Sequence, residues 1–119
     1  MGNYFQKEIE CASADQIRAW QSERLVKQVK NIYDNVPYYR TRMQNKGLEP
    51  GDIKSIDDLH KLPFITKDDL RDAYPYGLLA RPLKDCVRIQ STSGTTGRRV
   101  VAFYTQHDLD LWEDCCARA

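Results

Sequence analysis

Long apolar runs are missing from this 119-residue sequence, so neither a membrane-spanning helix nor a signal-peptide core is expected. Net charge is nearly missing too. Eighteen Lys and Arg against 17 Asp and Glu leave a formal +1, which provides no field to hold a polyanion or an anionic membrane. Nucleic acid and membrane are therefore not expected as partners. Histidine is scarce: His60 and His107 lie far apart without a metal-ligand pattern, and both are expected at exposed polar positions. Four cysteines, Cys11, Cys86, Cys115 and Cys116, make neither a CxxC pair nor a dense disulfide framework. A reduced, cytoplasmic protein with no metal site on this segment is the expectation, one of Cys115 and Cys116 being a core-facing thiol. What is present is one domain's length of chain with 41% apolar residues, enough for a modest core.

The apolar pattern is helical first and extended later. From Asp15 to Val36, residues Ile17, Trp20, Leu25, Val29, Ile32, Tyr33 and Val36 recur mostly at three or four positions, which puts them on one helix face. Ser13 is placed to cap that helix. Pro37 disfavours helical geometry at Val36, so the chain breaks and resumes as a second helix over about Tyr38 to Lys46, stopped by Gly47. These helices carry seven Lys or Arg against three acids. The phosphates of a ligand or a partner surface would suit that balance, but the interspersed acids point to a solvated face. Tyr38, Tyr39, Trp20 and Trp112 are expected to serve packing or subunit contact rather than an aromatic-acid pocket, and a homodimer stays open on that basis.

Between Gly47 and Gly77, Ser55-Ile-Asp-Asp58 and Thr66-Lys-Asp-Asp69 each set a hydroxyl three residues before a carboxylate, the pattern of a helix start. Short helices separated by Pro63 follow, with Ile53, Ile56, Leu59, Leu62, Phe64, Ile65 and Leu70 as inward faces. The period then changes. Cys86–Gln90 alternates and Val100–Tyr104 is rich in β-branched and aromatic residues, so both read as strands. Thr105-Gln-His-Asp108 repeats the capping pattern and opens a helix carrying Leu109, Leu111, Trp112 and Cys115. Residues 1–80 thus form a helical N-terminal region, and residues 81–119 a strand, loop, strand and helix start.

The loop between the strands is Ser91-Thr-Ser-Gly-Thr-Thr-Gly-Arg-Arg99. Its two glycines allow backbone angles at which successive N–H groups turn inward around phosphate oxygens. Hydroxyls at Ser91, Thr92, Ser93, Thr95 and Thr96 add donors, and Arg98 or Arg99 adds fixed positive charge. Such a loop is suited to an anion. It is not a Walker A loop, because Gly94 and Gly97 are too close and no Lys-Ser/Thr pair opens a helix. Composition alone would equally allow a solvated hairpin connection.

The order of residues separates these readings. Ser93-Gly-Thr-Thr-Gly97 followed by Arg98 resembles the signature loop of the adenylate-forming superfamily. Asn35-Val-Pro-Tyr-Tyr-Arg40, Leu59-His-Lys-Leu-Pro-Phe-Ile-Thr-Lys-Asp-Asp-Leu-Arg71, Tyr74-Pro-Tyr-Gly77 and Tyr104-Thr-Gln-His-Asp108 resemble the phenylacetate–coenzyme A ligase family in order and spacing, over nearly the full chain. Coenzyme F390 synthetases and other aryl-coenzyme A ligases share much of this.

The resemblance implies an α/β fold, of which this chain supplies a helical N-terminal subdomain and the first strands of an incomplete adenylation core. It implies an aryl acid substrate with ATP, Mg²⁺ and coenzyme A, the acid attacking the α-phosphate and coenzyme A displacing AMP from the acyl-adenylate. Ser93, Gly94, Thr95, Thr96, Gly97 and Arg98 would hold the β- and γ-phosphates, with no catalytic residue on this chain. Relatives commonly carry Pro where this chain has Arg99; either the loop is less rigid there or Arg99 supplements Arg98. Family members are several times longer, and their adenine pocket, acid pocket, acidic Mg²⁺ segment and C-terminal domain would lie beyond Ala119. A piece of a full ligase, inactive alone and needing the remainder of the chain, is the expectation. The alternative is a non-enzymatic helical binding or regulatory module of the same ancestry.

Overall fold

A computed structural model describes residues 3–95 and 97–119. Among the described residues, α-helices and strands follow one another as α1 Lys7–Glu10, α2 Ala14–Asn35, α3 Pro37–Asn45, α4 Lys67–Asp72, β1 Cys86–Ser91, β2 Val101–Thr105 and α5 Gln106–Arg118, with 3₁₀ turns at Pro50–Asp52, Ile56–Lys61 and Leu83–Asp85. The Ser13 hydroxyl accepts from the Gln16 amide and starts α2 as its sequence requires. Pro37 ends it. Val36 is driven to φ −119° and ψ 89°, and the proline then occupies the first position of α3, where its missing N–H costs nothing.

Gly47 closes α3 at φ +68°. Its amide bonds the Gln44 carbonyl at 2.9 Å and that of Leu48 bonds Met43 at 3.0 Å, so two orphan carbonyls are satisfied by a left-handed glycine cap. The core sits in the elbow so formed. Val29, Val36, Tyr39, Met43 and Ile53 are buried, and Leu25, Ile32, Tyr33, Leu62, Leu78 and Ala80 pack around them.

The segment after α3 is wrapped onto the helix pair by polar ties. Ile56 N–H donates to the Ser22 hydroxyl at 3.0 Å, the Tyr39 hydroxyl donates to the Pro63 carbonyl at 2.9 Å, and Arg42 donates to the Phe64 carbonyl at 3.1 Å. Both capping patterns form as full capping boxes, although Ser55 opens a 3₁₀ turn rather than an α-helix. The expected inward faces need correction. Ile53 is buried, but Leu59 is 50% and Phe64 89% exposed, with Ile65 and Leu70 exposed as well. Hydrogen bonds from α3 grip the backbone at Pro63 and Phe64, leaving the side chain of Phe64 directed outward.

The strands pair antiparallel in a two-stranded sheet, with a bulge at Val87. Alternation places Tyr104 on one face, where it meets Trp112 of α5 at 5.7 Å between ring centroids. Phe103 on the other face meets Tyr76 at 5.6 Å. Neither face is filled. Val87 and Ile89 are 57% and 60% exposed, and Leu111 and Trp112 of α5 are also exposed. Cys115 and Cys116 both lie at the surface, against the expectation of a core-facing thiol, because the face of α5 that carries Cys115 looks into an open groove.

Met43 is fully buried, so Met43→Ala is expected to destabilise the chain by about 2–5 kcal/mol. Leu59→Ala should stay within about 0.5 kcal/mol because half that side chain already meets water. Urea unfolding midpoints check the contrast; equal losses would restore Leu59 to the core.

Acid should also weaken the fold. Hydrogen bonding from Lys61, then from the Lys54 amide, lowers Asp58 from 3.8 to about 2. Asp69 is lowered chiefly by the Thr66 amide and then by the Tyr38 hydroxyl, against the effect of burial. Folded-state values below unfolded ones give stability that is complete above pH 3.8 and disappears as pH falls towards about 2. Asp58→Asn should flatten the stability profile across that window. An unaltered profile, followed by circular dichroism at each pH, would remove Asp58 from this role.

Candidate phosphate-binding loop

The loop that joins β1 to β2 is pinned at its neck before it opens. Beyond the last ladder pair, Ser91 with Val101, the Thr92 amide donates to the Val100 carbonyl at 3.0 Å and the Thr92 hydroxyl accepts from the Val100 amide at 3.1 Å. Thr92 therefore serves the neck. Of the hydroxyls read from the sequence as donors, its oxygen is already engaged within the loop base.

Ser93 to Arg99 project from that neck. Gly94 takes φ +72° and Gly97 φ +131°, both in the region that side-chain-bearing residues resist. The Gly97 amide turns back to the Gly94 carbonyl at 3.3 Å. Among the described residues, the amides of Ser93, Gly94, Thr95, Arg98 and Arg99 donate to no protein acceptor. Ser93, Thr95, Gly97, Arg98 and Arg99 are exposed and Gly94 is half-buried. Thr96 lies outside the described residues. The structure thus brings the other expected phosphate residues onto one short exposed loop with donors unspent.

Electrostatics favour an anion there. Residues 86–107 contain Arg88, Arg98 and Arg99 and not one Asp or Glu, so this segment is locally cationic although the chain as a whole is nearly neutral. Whole-chain charge conceals that segregation, and a windowed count would have found it. Among the described residues neither Arg98 nor Arg99 has a carboxylate partner, whereas Arg42 is bound by Asp69 and Arg18 by Asp57.

Other candidates are structural. Tyr39 is core, Tyr38 donates to Asp69 at 2.8 Å, and His60 meets the Asp57 carbonyl at 2.8 Å on an exposed turn. His107 is exposed at the start of α5. An apolar groove of 480 Å³ lies between β2 and α5, lined by Phe103, Tyr104, Asp108, Leu111, Trp112 and Cys115, and is separate in character from the polar loop. Among the described residues, no three His, Cys, Asp or Glu side chains converge as a metal site, and no helix is long and apolar enough to cross a membrane.

Known proteins resemble this chain along most of its length. No family model matches the chain. The phenylacetate–coenzyme A ligase of Aromatoleum evansii is 48% identical over 111 residues, 93% of this chain and 25% of that protein. The ligases of the same name from Pseudomonas putida and Thermus thermophilus are 47% and 39% identical, covering 93% and 97% of this chain. The chain spans about a quarter of the length of the curated relatives it matches. Among solved structures, 2-hydroxyisobutyryl-CoA ligase in complex with 2-HIB-AMP and CoA in the thioesterification state superposes with a TM-score of 0.86 at 25% identity, over 97% of this chain and 25% of that one. The same ligase in the postadenylation state, in complex with R3-HIB-AMP, gives a TM-score of 0.84 at 22% identity. Over nearly its full length this chain is similar to a quarter of a phenylacetate–coenzyme A ligase, and its fold matches the N-terminal region of an adenylate-forming CoA ligase.

Proposed function

We propose that this chain is the N-terminal part of an ATP-dependent aryl acid–coenzyme A ligase, and that Ser93, Gly94, Thr95, Thr96, Gly97 and Arg98 bind the β- and γ-phosphates of ATP. The observation that carries the reading is the acid-free loop with two positive-φ glycines and unspent amides. Residues 1–80 serve as a helical subdomain, and residues 81–119 begin the adenylation core. Phenylacetate is the acid favoured by the identity to ligases of that name.

The chemistry asked of these residues is positional. When the carboxylate of the acid attacks the α-phosphate, the bond to the β-phosphate breaks and the electron pair leaves with pyrophosphate. Amides and hydroxyls aimed at the β- and γ-oxygens, with Arg98 beside them, stabilise charge as it accumulates on that leaving group. Coenzyme A then takes the acyl group and AMP departs. Mg²⁺ would neutralise further phosphate charge when bound with ATP; among the described residues no three His, Cys, Asp or Glu side chains converge to hold it. Adenine, acid and coenzyme A would be held by the remainder of the ligase.

Aryl-acid-dependent exchange of pyrophosphate into ATP tests the reading. In the complete ligase, exchange is expected with phenylacetate or a related aromatic acid and is expected to be weak with short aliphatic or long fatty acids. Gly94→Val should raise the ATP KM or lower turnover tenfold or more, about 1.4 kcal/mol or above, because a branched side chain cannot adopt φ +72° there without strain. Residues 1–119 alone should show no exchange. Unchanged ATP kinetics in the variant would sink the loop assignment, and preference for a fatty acid would sink the aryl one.

A further inference from the structure

Gly94 and Arg99 are in closer contact than a generic flexible loop requires. A Cβ built on Gly94 would come 2.8 Å from Arg99 Cγ, 3.2 Å from the Gly97 carbonyl oxygen and 3.6 Å from Arg99 Nε. The Arg99 side chain therefore lies back across Gly94, with its stem where any other residue would put a carbon. Gly94 is needed twice, once for φ +72° and once for that stem.

The head group is not spent elsewhere in the protein. Among the described residues Arg99 makes no ion pair or hydrogen bond from its side chain, and the segment around it holds no acid. A guanidinium is planar, permanently charged and matched to phosphate oxygens. The Arg99 Nε lies 3.6 Å from where a Gly94 Cβ would stand, and the amides of Gly94 and of its neighbours Ser93 and Thr95 bond no acceptor among the described residues.

We propose that Arg99 is a second phosphate-binding residue, folded over Gly94 so that its guanidinium and the Ser93–Thr95 amides take the terminal phosphates of a nucleoside triphosphate together. This rests on the reading of the loop as a triphosphate site. It adds a cation beside Arg98 that faces the same ligand across the glycine. It also makes the selectivity of the loop depend on the number of phosphates, because the contact is to the end of the chain and not to the nucleoside.

Calorimetric titration of the complete ligase with ATP, inorganic tripolyphosphate and AMP separates the outcomes. Arg99→Met keeps a long stem and removes the charge, and Arg99→Lys keeps the charge and removes the fork. Arg99→Met is expected to weaken ATP and tripolyphosphate alike by about fivefold at low ionic strength, at the upper end for an exposed ion pair. Arg99→Lys should recover part of that loss, AMP affinity should not move, and the deficit should shrink near 1 M salt, where the Debye length is about 3 Å. Equal weakening of ATP and AMP, or ATP affinity unchanged in Arg99→Met while Gly94→Val abolishes it, would leave Arg99 as a spacer and overturn the proposal alone. Failure of the unaltered ligase to bind tripolyphosphate and ATP would overturn the loop reading and the Arg99 inference together.

Discussion

One carboxylate holds the helical half of this chain in register. Asp69 accepts from the Thr66 amide at 2.7 Å and the Thr66 hydroxyl at 2.9 Å, which caps α4, and from the Tyr38 hydroxyl at 2.8 Å and Arg42, which ties α4 to α3. It is the one buried charged side chain among the described residues. Burial of a carboxylate is costly unless its lone pairs are filled, and here two partners are local and two come from another helix. Arg42 extends the constraint by donating to the Phe64 carbonyl and lying 5.1 Å from the Tyr38 ring. Removing Asp69 would leave Arg42 and Tyr38 unmatched as well as a frayed α4.

The sheet half has no comparable anchor. The radius of gyration is 16.8 Å, against about 13.5 Å for a closed domain of this length. The accessible surface is 8748 Å², against about 6600 Å² for a monomer of this mass. Apolar side chains contribute to it. Val87, Ile89, Leu111 and Trp112 are exposed on or beside a two-stranded ribbon, and such a ribbon is marginal without neighbours. If the chain is the N-terminal part of a longer ligase, as proposed, the remainder supplies the sheet and helix that cover these faces.

Local rules were legible in the sequence wherever one residue type enforces one geometry. Ser13, Pro37, Gly47 and the boxes at Ser55, Thr66 and Thr105 stand where the caps and stops were expected, and both strands begin and end within one residue of their expected limits. Burial after Gly47 was not legible. Periodicity reports a face but not whether anything covers it, and with a 3₁₀ turn over Ile56–Lys61 in place of an α-helix the spacing there no longer gathers one face. The reach of Arg99 over Gly94 was also hidden, because a chain turning back across itself leaves no spacing rule behind. The charge segregation of residues 86–107, which contain both arginines and no acid, is by contrast readable in the sequence.

These features give the loop its character. A hairpin tip meant only to connect strands gains from a short two-residue turn that matches strand twist. This one is longer, is clamped by Thr92 and Val100, and spends two positive-φ glycines on a tip where the amides of Ser93, Gly94, Thr95, Arg98 and Arg99 find no acceptor among the described residues. Clamping the neck while leaving those donors unsatisfied does little for folding; on the proposed phosphate reading it is preorganisation, since the donors need not be torn from other partners when an anion binds. The same logic accounts for the missing acids. On that reading a carboxylate near Arg98 or Arg99 would stabilise the free loop and compete with the ligand, and residues 86–107 hold none.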